Sequence, residues 1–206
     1  MAYYDHPRPE VVALVPDAAR HVVDVGCASG ALGNALKTAR PHVQVRGIEP
    51  VAEVAELAGQ RLDDVLVGHA EDPMPEHWPA PDCVIFADVL EHLVDPWMVL
   101  RSWKERLASG GTVVASIPNV AHHSVVRGLV RGRFDYVDAG ILDRTHLRFF
   151  TRKTVFELFE RAGLTPLRVE RIVDEGRMKK TVQRFHRMGL SRLADPWTIQ
   201  FLVVAS

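Results

Sequence analysis

Short β-branched runs that alternate with amphipathic stretches constrain this chain more than any other feature. The strand-like runs are His21–Val25, Val43–Ile48, Val65–Val67, Cys83–Ala87 and Thr112–Ile117. Between them fall helix-like segments at Ala31–Ala39, Val51–Leu62 and Pro96–Ala108. Strands that alternate with helices call for a parallel sheet covered on both faces. The runs are short and continuously apolar, as two-sided burial requires. Asp95-Pro96 gives the last of these helices an N-cap and a first-turn proline, and Ser109-Gly110-Gly111 stops it. The expected architecture is a doubly wound, mostly parallel α/β sheet of seven strands, with helices on both faces and an antiparallel last strand.

The alternation breaks after the fifth run. Residues 119–150 carry His, Arg, Asp and Gly without one clean period, and so long an insertion reads as a lid or substrate segment. A helix at Arg152–Ala162, a strand at Leu164–Val173, a basic helical stretch at Met178–Leu190 and a final strand at Thr198–Ala205 follow. No repeat or linker interrupts the chain, so residues 1–206 read as one domain.

Composition narrows the partners. Of 206 residues, 47% are hydrophobic, enough for a real core, and the net charge of -1 gives no field that favours nucleic acid or an anionic membrane. Cys27 and Cys83 fall in or beside apolar runs and read as buried thiols of a reducing compartment. The opening MAYYDHPRPE has charges and prolines where a signal peptide needs an apolar stretch, and no run approaches the ~18 residues of a membrane span. The expectation is a cytoplasmic protein without a membrane partner. Its oligomeric state stays open, a homodimer included.

Val22–Gly33 (VVDVGCASGALG) is the most informative segment. An apolar strand reaches Asp24, turns at Gly26 and meets Gly30 as a helix begins; such glycines allow positive φ and close backbone approach to a ligand. Glu49 ends the next run. In a doubly wound sheet these two strand ends are neighbours at the carboxyl edge, where ligands bind. A carboxylate there can accept hydrogen bonds from both hydroxyls of an adenosine ribose. A dinucleotide site uses a similar loop, but GxGxxG needs glycine two residues after Gly26, and that residue is Ala28. A pyrophosphate needs the close approach that Ala28 obstructs, whereas S-adenosylmethionine (SAM) has no phosphate. Asp24 also suits the cationic amino group of a methionine moiety. SAM is the expected cofactor, ahead of NAD.

In CVIFADVLEHL, residues Asp88, Glu91 and His92 stand at i, i+3 and i+4, so one helical turn would set them on one face beside the cofactor. Such a face can hold a divalent cation such as Mg2+, with a lid histidine completing the set. Alternatively His92 serves as base or hydrogen-bond donor without metal, or the group is structural and Asp88 a cap.

Taken together, VVDVGCASGALG, IEP, VIFADVLEHLVDPWMVL and LASGGTVVASIPN resemble the successive motifs of class I SAM-dependent methyltransferases over roughly residues 22–205. The resemblance implies that Asp24, Gly26 and Gly30 line the methionine part, Glu49 the ribose, and Ala70 with Glu71 the adenine. Cys27, Pro50, Ala87 and Asp88 complete the expected cofactor contacts. His69 stands where relatives often have aspartate, which leaves the adenine contacts less defined. The D-x-x-E-H run is similar to the metal motif of RNA 3′-terminal 2′-O-methyltransferases, which implies Asp88, Glu91 and His92 as metal ligands, with His146 as the lid histidine that would complete the set.

The lid run GRFDYVDAGILDRTHLRFF resembles small methyltransferases of bacterial polysaccharide and sugar modification, including mannoside O-methylation. Phe134, Tyr136 and Phe149 offer faces to stack on a pyranose, and Asp143, Arg144, His146 and Arg148 offer directional hydrogen bonds. The alternative is a stabilising cap with an Asp143–Arg144 surface ion pair. The expected reaction is in-line methyl transfer to a hydroxyl of a sugar or oligosaccharide, with His146 as base, assisted by His92 and Glu91. Positioning supplies much of the acceleration and the base about 10²–10⁴-fold. Competing readings are an RNA or small aromatic acceptor, a SAM-binding module without catalysis, and a distant NAD(P) reductase. The basic run Arg177–Arg187 reads as a solvated helix face ahead of a nucleic-acid patch, and Tyr3 and Tyr4 as an arm over the cofactor or a free terminus.

Overall fold

The computed structural model describes residues 5–173 and 191–206. The basic run and the Tyr3-Tyr4 pair lie outside those residues.

Helix α1 (Pro9–Val12) precedes strand β1 (His21–Val25), α2 (Ala31–Ala39), β2 (Gln44–Glu49), α3 (Ala52–Gly59) and β3 (Asp64–Val67). Strand β4 (Cys83–Ala87), a 3-10 turn at Leu90–His92, α4 (Pro96–Arg106) and β5 (Thr112–Pro118) follow. Helix α5 (His123–Val130), α6 (Arg152–Arg161), β6 (Pro166–Val173), a second 3-10 stretch (Ser191–Trp197) and β7 (Thr198–Ala205) complete the order. The seven strands form one sheet in the order β3-β2-β1-β4-β5-β7-β6. Strands β1 to β5 pair in parallel, and β7 pairs antiparallel with both β5 and β6.

Period-two alternation divides the core between the two faces. Val22, Val45, Ile85 and Val114 pack with Leu32 and Leu36 of α2 and Ala58 of α3. Val23, Val25, Val84 and Val113 pack with Val99, Leu100 and Trp103 of α4 and with Val155, Leu158 and Phe159 of α6. The expected caps form: Asp95 accepts a 2.9 Å bond from Met98 N at the start of α4. Thr151 and Thr154 make a reciprocal capping box on α6.

The order reverses between β1 and β4, so the loops after these strands diverge and leave a crevice at their carboxyl ends. Because β7 is antiparallel, its first residues reach the same edge: Gln200 registers with Pro118, the last residue of β5. The 119–150 segment starts and ends beside that edge, joined by a bridge from Asn119 to Phe150. It contains a true helix, α5, as well as turns.

Candidate active site

One cavity of about 780 Å³ occupies the crevice. Its floor begins at Asp24, the only charged residue of β1, which is 1% exposed. Its Oδ1 has no hydrogen-bond partner among the described residues. Burial, reinforced by the nearby Glu49 charge and opposed by Arg8, pushes its carboxyl up to about 7. Gly26 turns the chain away with φ +71°, and an added Cβ would sit 2.6 Å from Val89 Cγ2. Ala28 also takes a positive φ, 49°. Its N–H donates to Glu49 Oε2 at 3.0 Å, while Val51 N–H donates to Oε1 at 3.1 Å. Two backbone donors thus fix the Glu49 carboxylate, and each oxygen keeps a lone pair for a further donor.

Asp24, Gly26, Cys27, Glu49, Pro50, Ala70, Glu71, Ala87 and Asp88 all line the cavity. Ala70 is held there by its carbonyl, which accepts a 2.9 Å bond from Trp103 Nε1. Gly30 does not line it. With φ +78° it caps α2, and a Cβ would press on Ala58 Cα at 3.1 Å, so its glycine serves helix packing.

The far end holds Glu91, His92, Asp143 and His146. Glu91 is 1% exposed, and neither carboxylate oxygen has a hydrogen-bond partner among the described residues. Burial above all, then the Asp88 charge, raises its pKa well above the usual carboxylate range. His146 Nε2 lies 3.9 Å from Glu91 Oε1, and its ring meets that of His92 edge-on at 4.7 Å. Burial lowers the His146 pKa against the raising effect of the Ile141 carbonyl, which favours the neutral ring. The lid is tied to this turn: the Glu91 carbonyl accepts from both Leu147 N–H and Arg148 N–H at 2.9 Å.

One ligand atom each from Glu91, His92 and His146 falls within 4.8 Å of the others. Asp88 leaves the expected set. Its backbone is left-handed at φ 57°, not helical, and its carboxylate turns to the Arg8 guanidinium, Ser116 Oγ (2.7 Å) and Gln200 Nε2 (2.8 Å). Two imidazoles and one carboxylate suit a first-row transition ion better than the oxygen-seeking Mg2+.

The expected sugar grip is mostly elsewhere. Tyr136 is 55% exposed, and neither it, Arg144 nor Arg148 lines the cavity. Arg144 pairs with Asp138 at 2.6 Å, not with Asp143, while Arg148 Nε donates to the Val94 carbonyl at 3.1 Å and the guanidinium lies over Trp97. Asp143 faces the cavity, but its Oδ1 accepts from Thr145 N–H and Oγ1–H at 2.8 and 2.6 Å. Those bonds overcome burial and hold its carboxyl below the usual range. Sequence reasoning missed Arg8, Ile141, Ile199 and Gln200 on the cavity wall. Arg8 was findable only as a lone cation in an arm; the others carry no chemical signature.

A sheet of this order, with an acid one residue from the end of β1 and another ending β2 around one crevice, defines a Rossmann-like methyltransferase fold. The profile of the methyltransferase domain family matches residues 4–169, and the chain belongs to that family. The ubiquinone biosynthesis O-methyltransferase of Ruegeria sp. is 29% identical over 169 residues, 74% of this chain and 63% of that protein. Trans-aconitate 2-methyltransferase of Mycobacterium tuberculosis is 29% identical over 131 residues, 62% of this chain and 49% of that protein. The chain thus spans less than two thirds of the length of these curated relatives. A SAM-dependent methyltransferase of Thermotoga maritima shares the fold at a TM-score of 0.67 and 18% identity, covering 97% of this chain and 86% of that one. An O-methyltransferase of neocarzinostatin biosynthesis, solved with S-adenosyl-L-homocysteine (SAH) and 1,4-dihydroxy-2-naphthoic acid, does so at 0.58 and 21%, covering 90% and 48%.

The residues fit SAM. The buried Asp24 Oδ1, without a partner among the described residues, is an acceptor that suits a cationic donor, and the methionine ammonium is one. The Glu49 carboxylate, fixed at the end of β2, offers its remaining lone pairs to ribose hydroxyls.

Proposed function

We propose that this protein is a SAM-dependent O-methyltransferase that acts on a hydroxyl group. The observation that carries the reading is that one cavity joins the Asp24–Glu49 cofactor wall to the Glu91, His92 and His146 group. When bound, the cofactor supplies a sulfonium-activated methyl group. Asp24 holds the ammonium and Glu49 the ribose, and together they fix the donor along the floor. His146 Nε2 takes the hydroxyl proton as it leaves, with His92 beside it to orient the acceptor oxygen. Alignment and proton removal are the two contributions the chain makes. Glu91, whose oxygens have no hydrogen-bond partner among the described residues, favours a second arrangement in which it joins His92 and His146 in holding a divalent cation that would draw the hydroxyl into place.

A sugar or oligosaccharide hydroxyl, such as that of a mannoside, is the acceptor suggested by the lid motif. A phenolic hydroxyl is the second reading, supported by Pro118, Ile141 and Ile199 on the cavity wall and by the ubiquinone-pathway relative. The buried free thiols Cys27 and Cys83 support a cytoplasmic setting. No described helix is long and apolar enough to cross a membrane.

The test is incubation with methyl-labelled SAM and a panel of mannosides, other glycosides and substituted phenols, with methyl ethers read by mass spectrometry. Transfer to one class selects it. Tight SAH binding with no transfer to any member leaves only a cofactor-binding module. His146→Ala should abolish turnover with SAH affinity nearly intact, and activity that survives exhaustive EDTA treatment rejects the cation.

A further inference from the structure

The direction of two imidazoles is decided by one turn of the lid. His146 Nδ1 lies 3.1 Å from the Ile141 carbonyl oxygen. A carbonyl only accepts, so Nδ1 carries the proton and Nε2 the lone pair. His92 is fixed less directly. Its Nδ1 faces Thr145 Oγ1 at 3.1 Å and the Thr145 carbonyl at 3.3 Å. Thr145 has one hydroxyl proton and donates it to Asp143 Oδ1 at 2.6 Å, while its backbone N–H reaches the same oxygen at 2.8 Å. With that proton committed, Oγ1 can only accept from His92. Both atoms facing His92 Nδ1 are therefore acceptors, and its lone pair also falls on Nε2.

We propose that Asp143 and Thr145 are positioning residues, a carboxylate–hydroxyl–imidazole relay that locks His92 in the Nδ1–H tautomer, so that His92 carries its lone pair on Nε2 as His146 does 3.9 Å from Glu91 Oε1. Asp143 thereby acts through Thr145, not on the acceptor. The relay serves either role of the histidines, because a base and a metal ligand both need that lone pair. Its significance for turnover rests on the methyltransferase reading; its geometry does not.

The test reads the tautomers directly. Long-range ¹H–¹⁵N spectra of histidine-labelled protein at about pH 8 distinguish pyrrole-type from pyridine-type nitrogen, with His92→Gln and His146→Gln as assignment controls. In the native chain both rings should show pyrrole-type Nδ1 and pyridine-type Nε2. Thr145→Val, at an exposed position, removes the nearer of the two acceptors and leaves the backbone carbonyl at 3.3 Å, so it should add a measurable Nε2–H fraction to His92 while leaving His146 unchanged. Thr145→Ser should restore the native pattern. SAH affinity should be the same in all three proteins, and methyl transfer to the acceptor found above should fall about 10- to 100-fold in Thr145→Val alone. A native His92 with its proton on Nε2, or a Thr145→Val spectrum identical to the native one, overturns the relay. Native tautomers without methyl transfer to any acceptor overturn the methyltransferase reading instead.

Discussion

His146 Nε2 stands 3.9 Å from Glu91 Oε1, and both oxygens of that buried carboxylate are without a hydrogen-bond partner among the described residues. A folded protein gives up stability to keep such a group, since a buried polar group without a bond costs about 1–3 kcal/mol. Glu91→Met should therefore raise stability by about 1–3 kcal/mol in urea denaturation and abolish methyl transfer. A destabilised variant would show that Glu91 is satisfied in solution and that its isolation here is not functional.

Asp24 should make cofactor affinity depend on pH. Its carboxyl titrates at about 7 in the ligand-free protein, and the bound ammonium needs the ionised form. Calorimetry should show SAH affinity level above pH 7 and weaker by about tenfold for each unit below it. The same shift acts on stability with the opposite sign. The folded pKa lies above the unfolded one, so stability is fully present below about 4 and lost as pH rises through 7. Asp24→Asn should weaken SAH binding and flatten both dependences; a retained pH slope would assign it to another group.

Gly26→Ala tests the loop between β1 and α2. The residue has φ +71°, which costs an L-residue about 1–2 kcal/mol, and the new methyl group would meet Val89 Cγ2 at 2.6 Å. Thermal unfolding should report a loss of at least that size, with weaker SAH binding as the loop shifts. Full affinity would mean that the backbone need not approach the ligand closely.

Arg8 joins the N-terminal arm to β5, β7 and the residue that follows β4, bonding Asp88, Ser116 Oγ at 3.1 Å and Gln200 Oε1 at 3.3 Å. Arg8→Ala should cost about 1.5–3 kcal/mol, the range for hydrogen bonds to charged groups. Because His6 and Arg8 form part of the cavity wall, SAH should also dissociate faster in stopped-flow measurements. Unchanged dissociation would confine Arg8 to a structural role.

Local pattern determined the sheet and the cofactor end. His21–Val25, Cys83–Ala87 and Thr198–Ala205 are the strands their apolar runs define, and Ala31–Ala39 is the helix its period defines. Burial on a sheet or helix leaves a period of 2 or 3.6 in the chain, and glycine at a left-handed turn leaves its residue type. Asp24 and Glu49 were legible for the same reason, each lying at the end of a run whose neighbour the topology rules supply.

Tertiary structure decided the acceptor end. The i, i+3, i+4 spacing of Asp88, Glu91 and His92 promised one helical face, but Asp88 left the helix when Arg8, Ser116 and Gln200, 80, 28 and 112 residues away, drew its carboxylate aside. Tyr136, Arg144 and Arg148 had the residue types for a sugar site, yet Tyr136 and Arg144 are exposed, and Arg148 is held by the Val94 carbonyl and the Trp97 ring. The tautomers of His92 and His146 depend on a hydroxyl and a carbonyl from a turn some fifty residues on from the former. Sequence periodicity records which face of an element is buried; it carries no trace of the long-range partner that sets where a polar side chain points.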